Sequence, residues 1–418
     1  MMPKTSTSLS LPNRQSWVNV IIATLAATVS FWAWALLSPL GPDLKDRLGL
    51  DPVQQALVVA LPVIVGSLGR IPVGWLTGRY GARLTFTAVV ALTAIPTLLL
   101  AFFQSSYAVL LVLAFFLGLG GATYAIGVPI SNNWFPPARR GFSIGVFSAC
   151  DVGVAIAGLT VIRTISRWGD SSIFFIVTGA LLICAALCWL LLRNLPGAPK
   201  PTEGMLASFM KEIRKPTVLE QSLLYAMTFG VYVALGAYSV TYFKGAYGTS
   251  PATASLYMAG LVALAAAFRP IGGWLGDRLG PLRVLAVCFG IVAVGAIVIA
   301  FNPALAIALV AFSVITAACG TGASAVFTLL AQTIPQPDVA EASGIVGALG
   351  GMGGYFPPLV LGVVFAATGS YDFGFWLLVG VAIGTALLTM TVVRRTSEQA
   401  KVALGKPQSV PVPSRRGA

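Results

Sequence analysis

Two arginines, Arg70 and Arg269, lie inside otherwise apolar stretches of the chain. A charged side chain surrounded by hydrocarbon is costly, so such a residue normally faces a polar cavity or a partner. Guanidinium is planar, permanently charged and carries a fork of N–H donors. Two forks that face each other would suit a small planar oxyanion or a carboxylate. The alternative is a structural role, in which backbone carbonyls or an acid hold each arginine.

The two arginines recur at the same depth. Arg70 precedes Arg79 by nine residues, and Arg269 precedes Arg278 by nine. Nine helical residues rise about 13 Å, which is close to half the thickness of the hydrocarbon core of a bilayer. This matched depth favours a shared anion-binding role over two unrelated structural roles.

Asp151 is the one acid that we expect deep in the membrane. It follows Arg140 by eleven residues, which corresponds to about 16 Å of helix. A salt bridge with one of the arginines would make Asp151 structural. Protonation would instead couple anion binding to protons, because burial favours the neutral carboxyl group. With Asp151 ionised, the three side chains carry one net positive charge, which a monovalent anion would neutralise.

The elements that position these residues are membrane-spanning helices. The chain has 418 residues, 57% of them hydrophobic and 9% charged, and its mean hydropathy is +0.88. Soluble proteins carry about a quarter charged residues, so lipid must cover most of this surface. The net charge of +13 comes from connections and tails, where it sets membrane orientation rather than nucleic-acid binding. The five cysteines lie in apolar segments without metal-ligand spacing, so we expect neither disulfides nor a metal site.

Apolar runs predict an all-α membrane protein with twelve transmembrane helices, because about 20 helical residues cross the hydrocarbon core. The first run is too long for a cleavable signal sequence, so we interpret it as a retained span. The predicted spans are 17–40, 54–78, 83–103, 107–132, 140–163, 171–193, 218–243, 252–276, 281–301, 304–332, 340–367 and 372–393.

Lys and Arg are distributed unequally between the two sides of the predicted bundle. The side with both termini holds 19 of the 26 basic residues, and the opposite loops hold 5. This imbalance predicts a multi-pass protein with cytoplasmic N- and C-termini. The short loops and the unadorned twelve-span body favour the cell inner membrane of a bacterium. The predicted divisions are a cytoplasmic tail at 1–16, a six-helix half at 17–193, a cytoplasmic linker at 194–217, a second six-helix half at 218–393 and a solvated cytoplasmic tail at 394–418.

The second and eighth spans are similar at a constant offset of 199 residues. Similar hydropathy alone could produce a weak repeat, but shared charges, glycines and tryptophans argue against coincidence. A parallel repeat predicts two pseudo-symmetric halves with the substrate bound between them and alternating access to the two sides. The matched pairs are Arg70 with Arg269, Gly74 with Gly273, Trp75 with Trp274, and Arg79 with Arg278.

The segment from Gly273 to Gly280, which includes the end of the eighth span and the turn after it, has the pattern Gly-x-x-x-Asp-Arg-x-Gly. This pattern resembles the loop motif of the major facilitator superfamily. The resemblance to that superfamily extends beyond this motif to nearly the whole chain. It implies the major facilitator fold. In the first half, Gly78 stands where the motif has its acid. The residues that carry the two copies are Gly74, Arg79, Gly273, Asp277 and Arg278.

Further segments resemble the nitrate/nitrite porter family within that superfamily. Span 11 resembles its glycine-rich signature, and span 5 resembles a second such segment with fewer glycines. Glycines would let helices pack closely and slide, and would expose backbone N–H groups near an anion; ordinary small-residue packing is the alternative. The matching segments are "LGRIP", "FRPIGGWLGDR", "GLGGATYAIG", "NNWFP" and "LLYAMTFG", and the glycines are Gly145, Gly153, Gly347, Gly350, Gly351, Gly353 and Gly354.

The same resemblance implies that Tyr124, Tyr225 and Phe229 line the substrate site beside the two arginines, because aromatic rings could enclose a flat anion. Core or lipid-facing packing is the alternative for each ring. Asp151 stands where the family usually has asparagine, so it is the departure from the pattern within the site.

The leading hypothesis is a secondary active transporter of nitrate and nitrite, which works by exchange or by proton-coupled uptake. A carrier for a small, oxalate-like carboxylate would use the same arginine pair. An enzyme is disfavoured because the chain has no histidine and no plausible acid–base pair, and we expect no cofactor. The repeat disfavours a channel, and the scarcity of buried acids disfavours an exporter of cations. We expect function as a monomer in the lipid bilayer.

Overall fold

The computed structural model describes residues 12–195, 203–354 and 372–405, which are helical apart from short connections. The helices are α1 (Arg14–Trp34), α2 (Leu37–Leu48), α3 (Pro52–Leu68), α4 (Arg70–Tyr80), α5 (Ala82–Leu100), α6 (Tyr107–Leu117), α7 (Leu119–Ala122), α8 (Tyr124–Trp134), α9 (Arg140–Ser148), α10 (Val152–Trp168), α11 (Ser172–Leu191), α12 (Met205–Ile213), α13 (Pro216–Tyr247), α14 (Pro251–Leu279), α15 (Pro281–Ala300), α16 (Leu305–Thr333), α17 (Val339–Met352), α18 (Asp372–Leu388) and α19 (Arg394–Ala403).

Eleven helical stretches of the described residues are long and apolar enough to cross a membrane. They match ten consecutive predicted spans from the N-terminus and the last one. The remaining predicted span, 340–367, begins with α17, and its part beyond residue 354 lies outside the described residues. The described helices therefore fit the predicted bundle of twelve.

Three of the predicted spans are interrupted near their middle. Span 2 divides between α3 and α4 at Gly69, span 4 divides into α6, α7 and α8 from Gly118 onwards, and span 5 contains a 3₁₀ turn, Ala149–Asp151, between α9 and α10. Broken helices leave backbone groups free to meet polar groups at membrane depth. Two buried charges stand at these breaks, since Arg70 is the first residue of α4 and Asp151 ends the 3₁₀ turn.

The turns that follow the two arginine helices have the same backbone conformation. Gly81 has a φ of +88° and Gly280, 199 residues later, has a φ of +86°. A residue with a Cβ would be strained at this φ, so the turn requires glycine at both positions. The end of the bundle that contains these two turns also contains α12, and we call it the linker end.

Two helices occupy segments for which the sequence predicted no helix. Helix α12 lies within the predicted linker, 194–217, and buries Ser208 and Glu212. Helix α19 lies within the predicted solvated tail, 394–418, and continues α18 through one π-helical segment. Both helices are too short and too polar to be recognised as spans. The division of the chain into tails, halves and linker stays a prediction.

Large apolar side chains are exposed on the outer faces of several helices. Examples are Leu92 and Ile95 of α5, and Leu182 and Ile183 of α11. Such a surface needs a lipid environment, where the backbone hydrogen bonds are satisfied within each helix. Polar side chains are therefore concentrated inside the bundle and at its ends.

Candidate functional site

Arg70 and Arg269 are both enclosed in the bundle, and each is 1% exposed. Arg70 follows the helix break at Gly69, whereas Arg269 lies within α14, directly before Pro270. A proline inside a helix removes one backbone hydrogen bond and bends the helix. Arg70 therefore lies at a helix break, whereas Arg269 lies beside a proline within a continuous helix.

Arg70 is hydrogen-bonded to backbone oxygens. Its Nε donates to the carbonyl oxygen of Gly121 (3.2 Å), and its Nη1 donates to that of Gly347 (2.8 Å). A carbonyl satisfies an N–H donor but supplies no full negative charge. No ion pair involves Arg70 among the described residues, so no carboxylate within that part of the chain is in direct contact with its guanidinium group.

Arg269 has a different environment, because it forms a buried ion pair with Asp151. Its Nη1 also donates to the hydroxyl oxygen of Tyr124 (3.3 Å). Asp151 is 1% exposed, which agrees with the depth that the sequence predicted for it. The two repeat-related arginines are therefore electrostatically unequal.

The three predicted aromatic residues lie together beside the arginines. The ring centroids of Tyr124 and Tyr225 are 6.4 Å apart, and those of Tyr225 and Phe229 are 5.0 Å apart with 15° between the planes. The Cζ atom of Arg70 lies 5.2 Å from the Tyr124 centroid and 5.6 Å from that of Phe229. The corresponding distances from Arg269 are 6.0 and 5.9 Å. Both guanidinium groups thus share the same two rings.

Two further residues belong to this cluster and were not predicted. Phe327 of α16 packs its ring 5.2 Å from Tyr124 and 4.9 Å from Tyr225, measured between centroids. Ser148 forms a 2.6 Å hydrogen bond with the Tyr124 hydroxyl. Neither residue carries a charge or a repeat match that would single it out from the sequence.

The predicted glycines lie at close contacts between helices. A Cβ added to Gly145 would lie 2.5 Å from the carbonyl oxygen of Arg269, and one added to Gly350 would lie 2.5 Å from Tyr225. Gly347 approaches Arg70 through its carbonyl oxygen and not through its N–H group. The arrangement agrees with close helix packing around the arginines. The other predicted glycines meet Thr28 (Gly153), Ser67 (Gly351), Ala226 (Gly353) and Val233 (Gly354).

The intact loop motif lies at the linker end, away from the arginine pair. Asp277 accepts hydrogen bonds from the backbone N–H groups of Gly141 (2.9 Å) and Phe142 (2.8 Å) at the start of α9. A carboxylate is favourable there because the first N–H groups of a helix lack partners within it.

The arginines of the two motif copies stack on tryptophans, and neither forms an ion pair within the ranges that the structure describes. The Cζ atom of Arg79 lies 5.2 Å from the ring centroid of Trp75, and that of Arg278 lies 4.5 Å from Trp274. These matched cation–π contacts are a further equivalence between the two halves.

The central cluster combines charges and free hydrogen-bonding atoms in a way that suits an anion. With Asp151 ionised, the cluster carries one net positive charge, which stems from Arg70. Nε of Arg269 and Oδ1 of Asp151 have no hydrogen-bond partner in the described part of the chain. A small anion could accept from the former, and the latter could accept a proton.

Comparisons with known proteins define the class to which this arrangement belongs. A family model described as Major Facilitator Superfamily matches residues 23–244 and again residues 222–416. The human organic anion transporter MFSD10 has a similar structure, with a TM-score of 0.78 at 13% identity over 90% of this chain and 99% of that chain. The fold is thus the twelve-helix fold of two pseudo-symmetric halves, in a multi-pass membrane protein.

Two curated relatives identify the family within this superfamily. The probable nitrate/nitrite transporter NarK2 of Mycobacterium tuberculosis is 37% identical over 387 residues, which cover 91% of this chain and 98% of the relative. The probable nitrate/nitrite antiporter NarK1 of Thermus thermophilus is 31% identical over 415 residues, with 91% and 92% covered. This chain belongs to the nitrate/nitrite porter family of the major facilitator superfamily.

Proposed function

We propose that this protein is a secondary active transporter of nitrate and nitrite that works by alternating access. The anion binds between Arg70 and Arg269, beside the rings of Tyr124, Tyr225 and Phe229. The observation that carries the proposal is the buried charge of Arg70, whose hydrogen bonds go to carbonyl oxygens. A planar anion gives this charge a counterion and accepts N–H donors from both guanidinium groups.

Exchange of one anion for another follows from the cost of the empty site. An enclosed charge without a counterion is poorly solvated, so the empty carrier should reorient slowly. An anion removes this penalty, and the loaded carrier reorients faster. Nitrate and nitrite share charge and planarity, so each can serve as the counter-substrate of the other. The name of the Thermus relative, an antiporter, agrees with this mode.

Protons are the proposed second coupling ion, because Asp151 competes with the anion for Arg269. When Asp151 is ionised, it forms an ion pair with Nη2 of Arg269. When Asp151 is protonated, it no longer needs a cation, and Arg269 is free to bind the anion. Proton and anion therefore bind together, which is the requirement for symport.

No contact of the described residues favours the oxalate-like carboxylate over nitrate. The named relatives support the inorganic anion, and the flat, paired rings of Tyr225 and Phe229 suit its shape. The protein is proposed to act as a monomer in the cell inner membrane, with the linker end and both termini in the cytoplasm. It is not proposed to catalyse a reaction.

The test is uptake of labelled nitrate by proteoliposomes, with internal nitrite and an imposed pH gradient varied separately. Exchange predicts uptake that needs internal nitrite or nitrate. Symport predicts uptake that an inward proton gradient drives without internal anion. Absence of nitrate uptake under every condition, in protein that is folded and inserted, would reject the proposal.

A further inference from the structure

At the linker end, two pairs of helices from opposite halves cross, and the offset of 199 residues relates the two crossings. In one crossing, α14 meets α9 at Gly273, where an added Cβ would lie 1.8 Å from the carbonyl oxygen of Gly141. In the other, α4 meets α17 at Gly74, where an added Cβ would lie 2.7 Å from the carbonyl oxygen of Ala340. Gly141 and Ala340 are also 199 residues apart. The crossings are therefore equivalent in the repeat.

The two crossings differ in the position of their carboxylate. In the first, Asp277 of α14 caps α9 by accepting from the N–H groups of Gly141 and Phe142. The equivalent of Asp277 is Gly78, which has no side chain to accept from α17. The equivalent of Phe142 is Glu341. The acid of the second crossing thus stands on α17 instead of on the arginine helix.

Glu341 is held by the linker helix α12. The hydroxyl of Ser208 on α12 donates to the Glu341 carboxylate, and both side chains are buried. The segment just before α12 reaches the other helix of the crossing, because the indole N–H of Trp75 on α4 donates to the carbonyl oxygen of Glu203 (3.3 Å). The linker therefore bonds to both helices of the crossing that lacks the motif acid.

Ion pairs fix α12 in this position. Nζ of Lys215 pairs with Glu212 and with Asp338, the latter at 2.9 Å. Nζ of Lys211 lies 3.8 Å from Asp338. Asp338 directly precedes α17, so these contacts join α12 and the residues after it to the start of that helix.

We propose that α12 is a latch that holds the α4–α17 crossing closed in place of the missing motif acid. The inference rests on the proposed alternating access, because opening of the linker end must separate α4 from α17. Since Glu203 bonds to α4 and Ser208 bonds to α17, that separation must break one of these two contacts. The α9–α14 crossing carries its own carboxylate and does not require the linker.

The opening of the linker end can be measured between spin labels on Ala138→Cys and Pro337→Cys. These positions are exposed, 199 residues apart and on opposite halves, and the five native cysteines are buried. In lipid nanodiscs, Ser208→Ala should raise the ratio of open to closed molecules by about tenfold, the effect of losing one hydrogen bond to a charged group. Ser208→Thr keeps the hydroxyl and should restore the parent ratio.

Two further variants make the result specific to this contact. Glu341→Ala should open the linker end as Ser208→Ala does, and the double variant should open it no further, because both changes remove the same contact. Ser166→Ala is the matched control, since Ser166 donates within its own helix to the carbonyl oxygen of Arg163 (3.0 Å). A parent-like ratio in both Ser208→Ala and Glu341→Ala would overturn the latch.

Nitrate added to the same labelled protein tests the proposed function separately. Nitrate should change the ratio of open to closed molecules in the parent. If nitrate changes the ratio and Ser208→Ala does not, the latch is rejected and the transport proposal stands. If Ser208→Ala opens the linker end and nitrate has no effect, the substrate is rejected and the latch stands.

Discussion

Arg70 and Arg269 occupy equivalent positions of the repeat, yet their neighbours give them different electrostatic roles. Arg70 bonds to the carbonyl oxygens of Gly121 and Gly347, whereas Arg269 is paired with Asp151. In the proposed mechanism, Arg70 is therefore the group whose charge the transported anion balances. Arg269 would exchange its own carboxylate for the substrate.

Lysine at Arg70 should disable transport even though the charge is kept. A lysine ammonium cannot reproduce the fork that bonds to two carbonyl oxygens, and each lost bond from a charged donor costs about 1.5–3 kcal/mol. We expect nitrate uptake by Arg70→Lys to fall by at least about tenfold, and Arg269→Lys to be impaired as well. The exposed Arg163→Lys is the control. Normal uptake by both central variants would exclude the arginine clamp.

Asparagine at Asp151 should separate anion binding from protons. The change raises the net charge of the central cluster from one to two positive charges and releases Arg269 from its ion pair. We expect tighter nitrate binding by calorimetry and uptake that no longer responds to a pH gradient. The exposed pair of Asp170 with Arg47 offers a control, Asp170→Asn, which should behave as the parent. Proton-driven uptake that survives in Asp151→Asn would assign coupling to another group.

Glu212 gives a pH-dependent prediction outside the membrane. Burial raises the pKa of the Glu212 carboxyl above its usual range, against the opposing effect of Lys215. A raised pKa in the folded state means that stability falls as the pH rises through that value, because the folded protein then holds a buried carboxylate. Glu212→Gln should therefore raise the melting temperature more at alkaline pH than at mildly acidic pH. Equal effects under both conditions would show that titration of Glu212 does not contribute.

The sequence predicted the charged residues of the central cluster but not all of the residues that surround them. Arg70, Arg269 and Asp151 are expensive in lipid, so their depth alone predicts that they meet polar partners. Phe327 and Ser148 have no such cost, and their place in the cluster depends on how α16 and α9 are rotated. Helix rotation is set by packing, which hydropathy does not encode.

At the scale of helices, close contacts at glycines define how far α4 and α14 approach their partners. At Gly273, an added Cβ would meet the backbone oxygen of Gly141 at 1.8 Å, and a backbone atom cannot rotate away as a side chain can. Alanine at this position must push the two helices apart. Alanine at Gly273 therefore tests directly whether the crossing of α9 and α14 must close during transport.

We expect Gly273→Ala to abolish nitrate uptake and to shift the distance between labels at positions 138 and 337 to larger values. The matched control is Gly290→Ala in α15, where nothing lies within 4 Å of the added Cβ. That change should be tolerated, and alanine even favours a helix over glycine by about 0.5–1 kcal/mol. Full activity of Gly273→Ala would mean that the α9–α14 crossing need not close.

The long apolar helices could be predicted from the sequence, and the short ones could not. Each predicted span is recognised by its length and hydropathy, as α15 and α11 illustrate. Helix α12 has nine residues and lies among prolines and charges, so its helicity depends on contacts such as that of Ser208 with Glu341. Only the folded chain brings these partners, 133 residues apart, together.

At the scale of the whole molecule, the repeat explains why the two arginines of the proposed anion site meet at the centre. Equivalent helices α4 and α14 each contribute an arginine to the same pair of rings, Tyr124 and Phe229. The departures from symmetry, Asp151 beside one arginine and α12 over one crossing, are then the features that distinguish the halves. In the two proposals, Asp151 takes part in proton coupling and α12 takes part in the opening of the linker end.

The charge of Arg70, which forms no ion pair among the described residues, has a consequence for the response of the proposed carrier to membrane voltage. If the empty site carries one positive charge, a bound monovalent anion makes it neutral, and the loaded site crosses the electric field without work. Nitrate-for-nitrite exchange is then electrically silent. Net uptake of nitrate alone would work against an inside-negative potential, at about 2.3 kcal/mol per charge for every 100 mV. On the proposed coupling, a proton carried in on Asp151 would compensate the charge of one nitrate, so uptake of nitrate together with a proton would also be electrically silent.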